Sequence, residues 1–426
     1  MTTLPTPSQA PVGYLQLIRQ NPNFRKIWLG EVVSFFGDWF NLIASASLVA
    51  TLTQSGLAVG GLFVIRMLAP FLISPFAGVA ADRFNRKGLL ITADLLRTVV
   101  VLGFLLVRQP QQVWLLYALT AVQLAISGFF TPARDAILPD ITQSNELGTA
   151  NALSAATWSV MLAIGAAMGG VVAGKWGIYP AFVIDSATFL VSAALIAGIK
   201  YVRPSDLAAA VPFGKWIGEF NRVYLDGLRY MGENADTLIV ALQKGAVALT
   251  VGGAFDVLQV AVTQKIFVIG HGGSTGLGWM YAAAGIGTGF GPIIARRLTG
   301  DRPGPQRLAL AIAYGLNALG LLICAPLASF EWLIFGTLIH AAGGGINWVF
   351  STQLLFGLAP NRLRGRVFAT EFALFTLGSA AGSYIGGWAL DTAGLSLSAI
   401  MFWMAGISII PGLFWIWWLL RKPSQS

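Results

Sequence analysis

Charge is scarce in this sequence. Of 426 residues only 11% are Asp, Glu, Lys or Arg, against about a quarter in a soluble domain, while 56% are hydrophobic and the mean hydropathy is +0.71. The single cysteine, Cys324, lies inside an apolar run, which excludes a disulfide framework and a thiolate metal site. Two histidines, His271 and His340, are too few for a zinc site on their own. No Gly-x-x-x-x-Gly-Lys-Ser/Thr loop occurs, so the chain has no P-loop for ATP. No nucleophile–base pair is evident, so an enzyme is not expected, nor a cofactor or a metal. The polar first 26 residues, ahead of an apolar run long enough to span, argue against a cleavable signal peptide. A net charge of +9 raises nucleic acid as a partner. The basic residues, however, fall between apolar segments instead of on one patch, and no nucleic-acid partner is expected.

Apolar runs of roughly 20 residues dominate, the length that crosses a bilayer core of about 30 Å. They lie near 27–51, 56–80, 88–107, 112–133, 149–173, 178–199, 238–262, 276–295, 307–328, 332–357, 367–389 and 394–420. This pattern predicts an all-α membrane protein with twelve transmembrane helices in two pseudo-symmetric six-helix bundles. Fifty glycines fit helices that pack closely in lipid. The expected organisation is a cytoplasmic segment 1–26, a first bundle 27–199, a linker 200–236, a second bundle 237–420 and a tail 421–426. With both termini in the cytoplasm, 21 of the 27 Lys and Arg residues fall in cytoplasmic segments and three (Arg108, Lys175, Lys265) outside. That bias sets both ends inside, and the expected location is the plasma membrane, the inner one in a Gram-negative cell. In the linker, Phe213, Trp216, Ile217, Phe220, Tyr224, Leu228 and Met231 recur at helical spacing opposite charged residues. Such an amphipathic helix either lies on the membrane interface or packs on the protein.

The halves repeat. Gly78-Val-Ala-Ala-Asp82-Arg83 after the second run has a counterpart 213 residues on, Gly291-Pro-Ile-Ile-Ala-Arg296, after the eighth. Two six-helix copies imply a pseudo-two-fold with a cavity between them. The fuller segment Gly78-x-x-x-Asp82-Arg83-x-x-Arg86-Lys87 resembles the signature loop of the major facilitator superfamily, with Asn85 where that family usually has glycine. Gly78 would permit close helix approach. Asp82 would meet the N-terminus of the eleventh helix near Arg366 to Glu371, and Arg83, Arg86 and Lys87 would hold the loop at the anionic surface. Together with Glu371 these form an expected conformational latch. Gly37-Asp38-Trp39, Ala93-Asp94-Leu-Leu-Arg97, Pro132-Ala-Arg134-Asp-Ala-Ile-Leu-Pro139 and Ala150-Asn-Ala-Leu153 are similar to the drug- and siderophore-exporter branch, with macrolide-efflux and enterobactin-exporter relatives. Its usual Gly-Pro-x-x-Gly-Gly element stands here as Gly165-Ala-Ala-Met-Gly169-Gly170, the glycines kept and proline replaced by Ala166.

Ionisable residues inside a span are costly and mark a pair, a wet cavity or a function. Asp38 and Arg66 fall at depths that would let them pair, and Asp94 and Arg97, three apart, share a helix face. Asp38, Arg66, Asp94 and Arg97 are therefore the proton-coupling candidates, with a structural ion-pair network as the alternative. Asp185 and Asp256 are weaker ones, and Glu31 and Glu371 look like gate groups. Lys244 either snorkels or meets substrate. Trp158, His340 and Trp348 complete the cavity candidates, with packing as the other role for each, as for Phe350. Trp415, Trp417 and Trp418 read as an interfacial belt.

The expected function is a secondary active transporter, with the exporter direction and proton coupling implied by the resemblance. Its partners are a small apolar or amphipathic substrate, the proton as coupling ion, and membrane lipid. A lipid or lysolipid flippase on the same fold, or a non-transporting receptor or assembly partner, are the alternatives.

Overall fold

The computed structural model describes residues 12–201 and 225–421, with residue 82 described by its backbone alone. A short helix, Tyr14–Gln20, precedes twelve long ones. The first six are α1 (Pro22–Thr53), α2 (Gly56–Arg83), α3 (Arg86–Gly103), α4 (Val113–Ile141), α5 (Leu147–Trp176) and α6 (Ile178–Ala197). The second six are α7 (Ala235–Lys265), α8 (Ser274–Thr299), α9 (Pro303–Cys324), α10 (Phe330–Leu358), α11 (Arg364–Asp391) and α12 (Leu397–Arg421). Among the described residues there is no strand. Ten of the twelve are long and apolar enough to cross a membrane by length and composition. The other two, α8 and α11, are diluted by glycine, serine and threonine, because they are the helices on which the two halves meet.

Local chemistry sets the breaks. After α1 the chain turns through Gln54 in the left-handed region, and the Ser55 hydroxyl then caps α2 by accepting from the Ala58 amide at 3.0 Å. Asn21 and Asn85 cap α1 and α3 in the same way, accepting from Phe24 and Gly88 at 2.9 and 3.1 Å. Within α7, residues Ala248–Gly252 form a π turn, a widened stretch that interrupts the α ladder.

Each half packs as its own bundle, and the halves join through α2 against α11 and α5 against α8. The repeat relates α2 to α8 and α5 to α11, so these two contacts are copies of each other. Glycine makes them close. A Cβ on Gly170 of α5 would stand 2.7 Å from Gly278 Cα of α8, and one on Gly60 of α2 would stand 2.6 Å from the Ser383 carbonyl of α11. Polar bonds add to the seam at the same end: Ser274 Oγ to Ser47 Oγ (3.0 Å), Gln264 Nε2 to the Ser47 carbonyl (3.2 Å) and Thr275 Oγ1 to the Gly170 carbonyl (3.2 Å). The carboxylate of Asp391, last residue of α11, accepts from Ser55 Oγ (2.5 Å) and from the amides of Gly56 (3.0 Å) and Leu57 (2.8 Å), so one half caps a helix of the other. This end lies away from the termini and is called the far end below.

Toward the near end the halves diverge. Gly78 on α2, Gly148 on α5, Gly289 on α8 and Gly365 on α11 have nothing within 4 Å of where a Cβ would stand. The close neighbour expected beside Gly78 is therefore absent in this conformation. Losing the far-end cap should cost about 1 kcal/mol. With Asp391→Ala, labelling of a cysteine placed at the buried seam position Ser47 should accordingly rise roughly fivefold. Unchanged labelling by a membrane-impermeant maleimide would remove Asp391 from the far-end closure.

One peripheral expectation is corrected. Trp415 is buried, donating to the Arg307 carbonyl at 2.8 Å, so it packs inside the second half instead of joining a belt. Trp417 stays half-exposed beside Arg421, while Trp418 donates to Asp236. Of the amphipathic linker helix, only 225–231 lie within the described residues. They are helical, with Met231 buried and Asp226 bonded to Arg366 at 3.1 Å, which docks this part on the first turn of α11.

Candidate functional site

Three aspartates and an arginine converge inside the first half. Asp94 and Arg97 stand one turn apart on α3 and are bonded to each other, and Arg97 Nη1 is 3.8 Å from Asp38 Oδ2 of α1. The guanidinium lies over the rings of Phe189 (4.2 Å) and Phe130 (5.0 Å), a setting that holds a cation away from water. Asp38 keeps 27% of its side chain exposed, against 0% for Asp94 and 2% for Arg97. Asp185 of α6 belongs to the same group, completely buried. Asp38 thus pairs with Arg97 and not with Arg66. Counting residues along a helix gives depth but not the direction a side chain faces, and Arg66 turns toward the seam between the halves.

At the seam Arg66 lies in the field of Asp38 and Asp185 on one side and of Asp256 and Tyr281 on the other, its Nη1 buried without a hydrogen-bond partner among the described residues. Across the seam, Asp256 Oδ1 accepts from Gln259 Nε2 (3.0 Å) and the Tyr281 hydroxyl (3.2 Å). Trp39 of α1 reaches the Tyr281 ring at 5.8 Å, and Trp158 meets Trp39 edge-on at 6.4 Å with half its surface exposed. Charged and aromatic residues of both halves therefore form one continuous belt across the middle of the molecule.

Nearer the termini each half carries a second buried pair. In the first, Arg134 of α4 holds Glu31 of α1 (3.2 Å) and Asp135 (2.8 Å), with Ser154 of α5 bonded to both Arg134 and Glu31. In the second, Lys244 of α7 meets Glu371 of α11 at 3.0 Å and Thr352 of α10 at 2.8 Å, over the face of Trp348 at 4.2 Å. Glu31 and Lys244 are 213 residues apart, the repeat offset seen in the loop motif. The two clamps use the equivalent helix triplets, α1, α4, α5 and α7, α10, α11, with the acid of α1 replaced by the base of α7, but Arg134 stands on α4 whereas Glu371 stands on α11, the counterpart of α5. Lys244 accordingly does not snorkel, and Glu371 is not part of the loop latch. Burial of the pair inside one half removes it from both settings. Trp348, 43% exposed, shields the ammonium from the cavity side and packs edge-on against Phe375.

The remaining candidates fall elsewhere. His340 is buried against the Phe255 ring (4.8 Å) with its backbone hard against Gly320, so it packs inside the second half and lines no cavity. Phe350 is likewise buried. In the loop motif, Arg86 binds Asp140 (2.6 Å) and the Ala136 carbonyl (2.9 Å), and Lys87 binds the carbonyls of Ala197 (2.7 Å) and Ile199 (2.8 Å). These side chains pin the loop to α4 and α6 of their own half and do not reach for a lipid surface. The side chain of Asp82 lies outside the described residues. In the repeat copy, hydrogen bonds from Arg296 hold the exposed Asp301 carboxyl below its ordinary range. The sequence passed over Tyr281, which carries no pattern that marks it. Asp185 and Asp256 were ranked as weaker candidates, Glu31 as a gate group and Arg134 only within the Pro132–Pro139 segment, since charge within or beside an apolar run was their one signal.

The description "transmembrane secretion effector" belongs to a family model that matches residues 16–417. An MFS-type transporter of Bacillus subtilis (strain 168), YfiS, is 26% identical over 403 residues, covering 90% of this chain and 91% of its own. The multidrug resistance protein MdtG of Yersinia enterocolitica is 26% identical over 375 residues, covering 86% and 84%. Among solved structures, a mutant of the nucleoside transporter NupG superposes with a TM-score of 0.73 at 12% identity, over 94% of this chain and all of that one. A bacterial homologue of the iron transporter ferroportin, in an inward-facing state, gives 0.70 at 13% identity over 93% and 98%. These likenesses place the fold.

Proposed function

We propose that this chain, which belongs to the transmembrane secretion effector family of major facilitator transporters, exports an apolar or amphipathic small molecule against proton entry by alternating access. One observation carries the reading. The halves are fastened at one end and apart at the other, around a belt in which Arg66 at the seam is flanked by Asp38 and Arg97 of the first half and by Asp256 and Tyr281 of the second. Rocking the halves about such a belt would expose it to each side in turn. The bias of basic residues toward the near end puts that end in the cytoplasm of the cell. The conformation described here is then open to the cytoplasm, ready to load. Trp158, beside Trp39, and Trp348, over Lys244, are half-exposed next to the central groups, and on a cavity wall they would suit a greasy cargo. Arg97 and Lys244 are each paired within their own half, which does not favour a strongly anionic one.

The test is flux of ethidium in vesicles of the purified protein with an imposed pH gradient. Wild type should accumulate ethidium against its own concentration only with the gradient, and Asp38→Asn should lose that accumulation. If ethidium and a drug panel stay put while a fluorescent lysolipid crosses, the chain is a flippase and the exporter reading fails.

A further inference from the structure

We propose that Asp185 stores the coupling proton, with Asp38 as its relay to water in the cavity. The inference rests on the proton-coupled reading above and names the residue that carries it.

Asp185 is 0% exposed, and neither carboxylate oxygen has a hydrogen-bond partner among the described residues. The groups that face it come from every helix around it. From α1 come Asp38, Asn41 and the bare backbone of Gly37, where a Cβ would stand 2.5 Å from Asp185 Oδ1. Arg97, already committed to Asp94, comes from α3 and Arg66 from α2. On its own helix Thr188 spends its hydroxyl on the Asp185 carbonyl at 2.6 Å. The Asn41 amide is the one side-chain donor close to it, and no cation stands within 4 Å among the described residues; an ionised carboxylate so placed is among the costliest groups to hold in a lipid-surrounded interior.

The charge count of the belt leads to the same conclusion. Four carboxylates, those of Asp38, Asp94, Asp185 and Asp256, share two guanidiniums, Arg97 and Arg66. Fully ionised, this group would bury two uncompensated negative charges. Asp94 is bonded to Arg97, Asp38 stands 3.8 Å from the same guanidinium, and Asp256 accepts two hydrogen bonds. Asp185 has none of these. A proton there removes one of the two uncompensated charges and creates an O–H donor for the Asn41 amide oxygen, which is buried without a partner among the described residues. Its route is Asp38, the one carboxylate of the three in this half with an exposed edge. A proton passes from cavity water to Asp38, then to Asp185, and leaves by the reverse transfers when the cavity faces the other side, with no other bond made or broken.

Infrared spectroscopy of the purified full chain in lipid nanodiscs at neutral pH tests the assignment without a substrate. A carboxylic-acid C=O band, shifted by deuterium oxide, should appear in wild type and in Asp38→Asn, vanish in Asp185→Asn and return in Asp185→Glu. In vesicles, gradient-driven ethidium flux should be lost in Asp185→Asn while ethidium exchange without a gradient persists, which also shows that the variant is folded. An undiminished band in Asp185→Asn overturns the assignment. If the band belongs to Asp185 but wild-type ethidium flux ignores the gradient, the exporter reading fails, and the coupling role of that proton with it.

Discussion

Lys244→Ala is expected to destabilise the second half by about 3–5 kcal/mol, the usual consequence of removing one partner from a buried ion pair. The side chains of Lys244 and Glu371 are 7% and 3% exposed, and the ammonium is the one cation within 4 Å of that carboxylate among the described residues. The lysine also bonds Thr352 and covers Trp348, so its loss strips three helices of a common contact. Thermal unfolding of the purified protein in detergent should show a clear drop. The double variant Lys244→Met, Glu371→Leu should recover most of it, because apolar residues of similar size avoid desolvating two charges. In the first half the matching change, Glu31→Ala, should cost less, since Arg134 keeps Asp135 and Ser154. A Lys244→Ala protein that melts with wild type would mean that the pair is wetter than its burial indicates.

Gly278→Val should have the larger effect on transport. A Cβ at Gly278 would stand 2.6 Å from the Ala166 carbonyl and 2.8 Å from Gly170 Cα, and backbone atoms cannot turn aside as side chains do. Overpacking of this sort costs about 1–3 kcal/mol. Charged against the far-end-closed state alone, it shifts the balance between conformations by roughly 5- to 150-fold. Ethidium flux should fall by a similar factor, and labelling of a cysteine at Ser47 should rise. Gly315→Ala, which meets nothing within 4 Å, is the control and should match wild type. Equal flux in both variants would show that the α5–α8 contact does not limit the cycle.

The twelve helices were legible because lipid-length apolar runs have little else to become; the break after the first was the least marked, with only Thr53-Gln54-Ser55-Gly56 to signal a turn, and it is made by Gln54 in the left-handed region and the Ser55 cap. The match between halves was visible in the loop motif, while the equivalence of Glu31 and Lys244 emerged only with the packing. Direction around a helix was not. Helices that are apolar on every side carry no stripe to say which face is inside, so Asp38 was matched to Arg66 by depth when Arg97 is its partner. The same gap hid Trp415, which packs inward from a row of three tryptophans, and led Asp185 to be ranked low when it stands at the centre of the group. Arg86 and Lys87 were misjudged differently: basic residues in a loop suggested lipid, while open helix carbonyls on α4 and α6 of their own half were nearer.

Asp391 holds three donors of the opposite half on a single carboxylate. Sliding either helix by little more than an ångström breaks all three together, since hydrogen bonds weaken steeply with distance and angle. Energy at that junction therefore does not rise gradually along the motion; it is fastened or it is not, like a snap closure. A transporter with such a fitting spends little time ajar, and leakage through a half-parted wall is suppressed by the same three bonds that keep it shut.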